Sequence, residues 1–152
     1  MTEFPARPAS FRRTSVHPTI TENQISALVD QFYTEIRNHS GLGPIFQLHL
    51  DGHWDEHLDK MKSFWRSVLL RSGEYKGKPV PVHQKLDGIG VEDFGEWLTL
   101  FARVSREIFE PDATPLVVQA AENIATSLWL SRTNDPFASP PDWPHLTQFP
   151  SK

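Results

Sequence analysis

The sequence predicts an all-α domain, and three observations carry that prediction. Four stretches place apolar residues at i, i+3, i+4 and i+7, the spacing of a helix that buries one face. No stretch alternates apolar and polar residues with the period of two that a half-buried strand requires. Gly and Pro punctuate the gaps between the periodic stretches.

The elements follow in order. Met1–Pro18 mixes Pro5, Pro8 and Pro18 with Ser, Thr and Arg, without a useful period, and reads as a flexible or polyproline-like extension. Thr19 and Glu22 have the spacing of a capping box. The helix after them lines up Ile25, Leu28, Val29, Phe32, Tyr33 and Ile36 and is expected to end near Asn38–Gly41, with Gly41 as a C-terminal stop. Gly43-Pro44 is expected to break the helix before Ile45-Phe46 re-enters the apolar region. His49 falls in the loop that follows.

The next helix, from near Asp51 to Leu70, carries Trp54, Leu58, Met61, Phe64, Trp65, Val68 and Leu69 on one face. Glu74–Gly90 reads as a loop with at most a short helix over Val82–Leu86. Val91–Glu110 is helical, with Phe94, Trp97, Leu98, Phe101, Val104 and Ile108 facing inward and Pro111 ending it. Thr114-Pro115 supplies an N-cap and a first-turn proline to the last helix, Pro115–Ser131. It buries Val117, Ala121, Ile124 and Leu128. From Thr133 the chain turns polar and Pro-rich. The expected organisation is therefore one domain over 19–132, between extensions 1–18 and 133–152.

Composition narrows the function. With 152 residues and 11% aromatics, the chain is long enough for one aromatic-rich core. A net charge of −4 without a basic stripe argues against nucleic acid. The absence of cysteine removes disulfides, thiolate ligands and a thiol nucleophile. No apolar run approaches the roughly 20 residues of a membrane span. Arg12-Arg13 lacks the hydrophobic segment that a twin-arginine export signal needs. A soluble cytoplasmic protein is expected.

His57 is the first residue to carry chemistry. It lies three after Trp54 and four before Met61, on the buried stripe, where an imidazole costs free energy unless it is used or satisfied. Two readings compete. His53-Trp54-Asp55-Glu56-His57 matches the H-x-x-E-H pattern of a zinc hydrolase, with His53 and His57 as ligands and Glu56 as base. Three fixed positions in five residues are weakly specific in a chain with seven histidines. Acids in a first helical turn also have a plainer explanation, the positive end of the helix. The other reading pairs His57 with His83, which lies in the irregular segment between two long helices. Two such histidines in an aromatic all-α chain suit a haem pocket, which needs apolar walls, one imidazole on iron and few groups on the other face.

At these residues the chain resembles the truncated haemoglobins, in particular their third group. The resemblance covers about Gln24–Leu130 and rests on segments that occur in order. They are Gln31-Phe32-Tyr33, Leu42-Gly43-Pro44-Ile45-Phe46, Trp54-x-x-His57 leading to Phe64-Trp65, Tyr75-x-Gly77-x-Pro79 before His83, and Phe94-x-x-Trp97-Leu98-x-x-Phe101. The paired-glycine motifs of the other groups are missing, and the two Pro-containing tails depart from the family pattern.

The resemblance implies a globin-like, truncated two-over-two helical sandwich that binds haem b. Carried over by position, His83 becomes the proximal iron ligand, and Tyr33, His57 and Trp97 face the distal side. Phe46, Met61, Phe64 and Phe94 line the pocket, joined by Leu98 and Phe101. The plain alternative for Tyr33 and Trp97 is core packing, weakened because each carries a donor on an apolar stripe.

The implied ligands are O2, NO, CO or peroxide at an open iron site, with an external reductase supplying electrons. Two or three donors beside a bound ligand hold it too long for delivery. Redox chemistry or detoxification of a peroxidase-like or NO-dioxygenase-like kind is therefore expected over transport. The rival from another class is a haem-free helical module that uses its Pro-rich tails as partner ligands.

Overall fold

A computed structural model describes residues 15–75, 90–132, 137, 139 and 141–143. The described residues form five helices: α1 (Glu22–Asn38), α2 (Leu42–Leu50), α3 (Trp54–Leu69), α4 (Val91–Ile108) and α5 (Thr114–Ser131). Among them none is long and apolar enough to cross a membrane. Helix α1 packs on α2 and α3, α4 packs on α5, and α1 also packs on α4. Two helix pairs thus stack with α1 as the bridge.

All six residues of the predicted α1 stripe are buried. The capping box that starts this helix lies two residues later than its sequence spacing suggested. Gln24 N–H donates to Thr21 Oγ1 at 3.1 Å, and Thr21 N–H donates to Gln24 Oε1 at 2.9 Å. The amide of a glutamine serves the reciprocal bond as well as a carboxylate does.

Gly41 does not stop α1. The helix ends at Asn38, within the expected range, with an extended His39 as its C-cap, and Gly41 opens α2 with right-handed dihedrals. His39 bridges the two helices, because its Nδ1 accepts from Gly41 N–H at 3.0 Å and from Leu42 N–H at 2.9 Å. An imidazole therefore does the work of an N-cap oxygen.

Gly43-Pro44 does not break a helix but lies within one. Both residues sit in the first turn of α2, where proline's missing N–H has no intrahelical partner to lose. Glycine is required at 43 by close approach, since a Cβ there would lie 2.9 Å from the Arg37 carbonyl oxygen. His49 consequently lies in the last turn of a helix and not in a loop.

The turn between α2 and α3 uses Gly52 at φ +80°, which only glycine adopts freely. Trp54 locks this corner. Its Nε1–H donates to Gln47 Oε1 at 2.9 Å, and the Arg37 guanidinium stands 4.3 Å over its ring. Helix α5 begins one residue earlier than expected, with Ala113 as N-cap. Thr114 does not cap it but donates its hydroxyl back to the carbonyls of Phe109 and Glu110.

Candidate functional site

One cleft, of about 920 Å³ counted out to its open mouth, receives side chains from all five helices. The alternating burial along α3 and α4 explains how it forms. Leu69, like Leu98 and Phe101, is buried in the core. Their neighbours Met61, Phe64, Phe94 and Trp97 are only half-buried, because they face the cleft.

Adjacent residues on α1 divide their tasks. Phe32 points toward α4, meeting Trp97 and Phe101 edge-on with ring centroids 5.3 Å away in each case. Tyr33, about 100° further round the helix, points toward α2 and α3. Its ring meets Phe46 at 6.1 Å, Trp54 at 6.4 Å and the His57 imidazole at 5.0 Å, the last almost perpendicular at 86°. Burial pushes the Tyr33 hydroxyl well above the ordinary phenol range, so it stays a neutral donor at any physiological pH. The phenol and imidazole both line the cleft, one helix apart.

Trp97 stands where α4 meets α1, stacked on Phe101 at 5.5 Å and 13°. From the other helix pair, Phe94 of α4 and Ile124, Ala125 and Leu128 of α5 contribute apolar lining. Asp93 and Arg132 are the further lining residues with ionisable groups. The Asp93 carboxylate is engaged in capping α4, accepting from Gly90 N–H at 2.9 Å.

After α3 the chain turns at Arg71 and Gly73, with φ of +58° and +76°, and is tied back onto the helix. Arg66 grips the Glu74 carboxylate through Nε at 2.8 Å and Nη2 at 2.6 Å. Tyr75 N–H donates to Ser67 Oγ at 2.8 Å. The Arg66 bonds hold the Glu74 carboxyl down at about 2. His83 follows in 76–89 and lies outside the described residues.

Of the residues expected at the site, Tyr33, His57, Trp97, Phe46, Met61, Phe64 and Phe94 all come together in this cleft. Leu98 and Phe101 do not line it. They are fully buried, and Phe101 packs behind the wall between Trp65 at 4.9 Å and Trp97. His53 is also outside the cleft. It is exposed at the start of α3 with its Nδ1 3.2 Å from Glu56 Oε1. Among the described residues no group of three potential ligands converges on a metal site.

Walls that are mostly aromatic and aliphatic, with few polar groups, suit a largely apolar ligand. No protein-family model matches the chain. A curated relative, Group 3 truncated hemoglobin ctb of Campylobacter jejuni, is 33% identical over 111 residues, which are 71% of this chain and 87% of that protein. The chain belongs to the group III truncated haemoglobins. A crystal structure of the group III truncated hemoglobin from Campylobacter jejuni superposes with a TM-score of 0.72 at 30% identity. It covers 78% of this chain and 95% of the other. The fold is thus the truncated two-over-two globin sandwich, of a family that binds haem.

Within this group III globin, Leu42, Ile45, Trp65, Ile124, Ala125, Leu128, Asp93 and Arg132 also line the cleft. Sequence reasoning does not single them out as site residues. For Ile124 and Leu128 a signal is present, since they share the buried stripe of α5 one turn apart. Leu42 is hidden when Gly43-Pro44 is read as a break.

Proposed function

We propose that the cleft holds haem b and that the chain binds O2, NO, CO or peroxide there, acting on them by redox chemistry with electrons from an external reductase. The observation that carries this reading is the meeting of the Tyr33 phenol and the His57 imidazole at 5.0 Å inside a mostly apolar cleft. Desolvation of the Tyr33 phenol costs free energy, which a ligand that accepts its hydrogen bond returns.

When bound, haem iron supplies the ligand-binding and electron-transfer chemistry, with His83 as its protein ligand. The chain's own residues do the rest. The walls exclude water from the ring and strengthen every polar contact inside. Tyr33 donates its hydroxyl proton to a polar ligand held in the cleft, and its raised pKa keeps that proton in place. Trp97 offers its indole N–H from the α1–α4 seam. His57, packed edge-on against Tyr33, fixes the phenol ring and gates the approach. Donors of this kind retain a polarised ligand, which favours its chemical conversion over its release.

The proximal role is tested on His83→Gly. The ferrous spectrum of the haemin-loaded variant is expected to change, and added imidazole to restore it in part. An unchanged ferrous spectrum would move the proximal role to another residue.

A further inference from the structure

The C-terminal segment, Pro-rich and aperiodic in sequence, returns to the molecule at Trp143. That indole is only 3% exposed. Its Nε1–H donates to Thr126 Oγ1 of α5 at 2.6 Å, a bond across 17 residues of chain. Its ring lies 5.9 Å from Phe94 at 44°, and Trp129 meets the same Phe94 ring at 5.9 Å and 81°. Trp143 does not line the cleft, whereas Phe94 does.

Phe94 occupies the first turn of α4, where the helix supplies few side-chain neighbours, and the two indoles supply them instead. The one from Trp129 belongs to the globin helices. The one from Trp143 comes from the segment beyond them. If the indole of Trp143 were removed, a hole would open behind Phe94 and the ring could swing back from the cleft. A flat ligand would then lose contact along a whole edge.

We propose that Trp143 is a positioning residue for the haem cleft: docked on α5 through Thr126, it holds Phe94 in the wall, so that the C-terminal segment governs how long the cleft retains its flat ligand. This rests on the haem reading of the cleft.

The experiment loads the full chain with haemin and follows its transfer to excess apomyoglobin. Trp143→Ala is expected to speed haemin loss about tenfold, and Trp143→Phe to recover most of the difference. In a Phe94→Ala background the Trp143→Ala step is expected to have little further effect, because the two act through one wall. Haemin loss unchanged by Trp143→Ala, even with a lower urea midpoint, would reduce the residue to a structural staple and overturn the proposal. Binding of anilinonaphthalene sulfonate to the haem-free chain separates this from the haem reading. Severalfold weaker dye binding in Trp143→Ala supports the positioning role whatever the natural ligand, and equal binding overturns it.

Discussion

The two walls of the cleft are built on different terms. The α1–α3 wall presents Tyr33 and His57, polar groups carried on stripes that are otherwise apolar. The α4–α5 wall presents Phe94, Ile124, Ala125 and Leu128 beside Asp93, which caps α4, and Arg132, and its Phe94 ring is in contact with Trp129 and Trp143. One wall offers hydrogen bonds to whatever enters. The other offers shape. Trp97 stands at the seam between them, in contact with Phe32 of α1 and Phe101 of α4. The difference implies that substitutions in the first wall change how a small ligand is held, and those in the second change how the flat group is held.

The largest effect is expected from the first wall. Tyr33→Phe removes one donor worth roughly 1.5–3 kcal/mol toward a partly charged acceptor, which is about ten- to a hundredfold in O2 release. Stopped-flow displacement of O2 by CO reads this, and Trp97→Phe should act in the same direction. Haemin loss should barely change in either. If both variants release O2 as the parent chain does, the polar wall has no role in holding the ligand.

The second wall should show the mirror image. Phe94→Ala leaves a void between two indoles and the cleft, at a cost of about 2–3 kcal/mol for a half-buried aromatic. Urea unfolding should record that loss and apomyoglobin transfer a faster loss of haemin, with little change in O2 release. A large change in O2 release with unaltered stability would mean that the walls do not divide the work in this way.

The smallest effect is expected outside both walls, at the Arg66–Glu74 pair. The Glu74 carboxyl is held at about 2, below its ordinary 4.5, so its contribution to stability is present above about 4.5 and drains away as pH falls toward 2. Glu74 is well exposed, and the contribution is correspondingly small and salt-sensitive. Glu74→Gln should unfold slightly more easily than the parent at neutral pH and match it near pH 2. A difference that persists unchanged at low pH would assign its effect to something other than this ion pair.

Much of the polar wall is legible in the sequence, and the physical reason is periodicity. The α1 stripe from Ile25 to Ile36 and the α3 stripe from Trp54 to Leu69 place Tyr33 and His57 on inward faces by spacing alone. Helix α2 is not legible, because Gly43-Pro44 reads as punctuation. Its place in a first turn depends on the His39 ring capping that turn and on the tight contact with Arg37, both tertiary facts. The line between cleft and core on α4 is not legible either. Phe94, Trp97, Leu98 and Phe101 share one stripe, and only packing against α1 and α3 sends the first two to the cleft and the last two inward. Trp143 leaves no periodic signal at all, since a single aromatic anchor in a Pro-rich segment is placed by its partners, Thr126 and Phe94, and not by its neighbours in sequence.

The central claim is that these two walls enclose haem, and the most direct test is a haemin titration of the full chain followed by visible absorption. The account predicts a Soret band that saturates at one haemin per chain, a five-coordinate ferrous form after dithionite, and a sharp shift on adding CO. A chain that develops no Soret band with added haemin would contradict it.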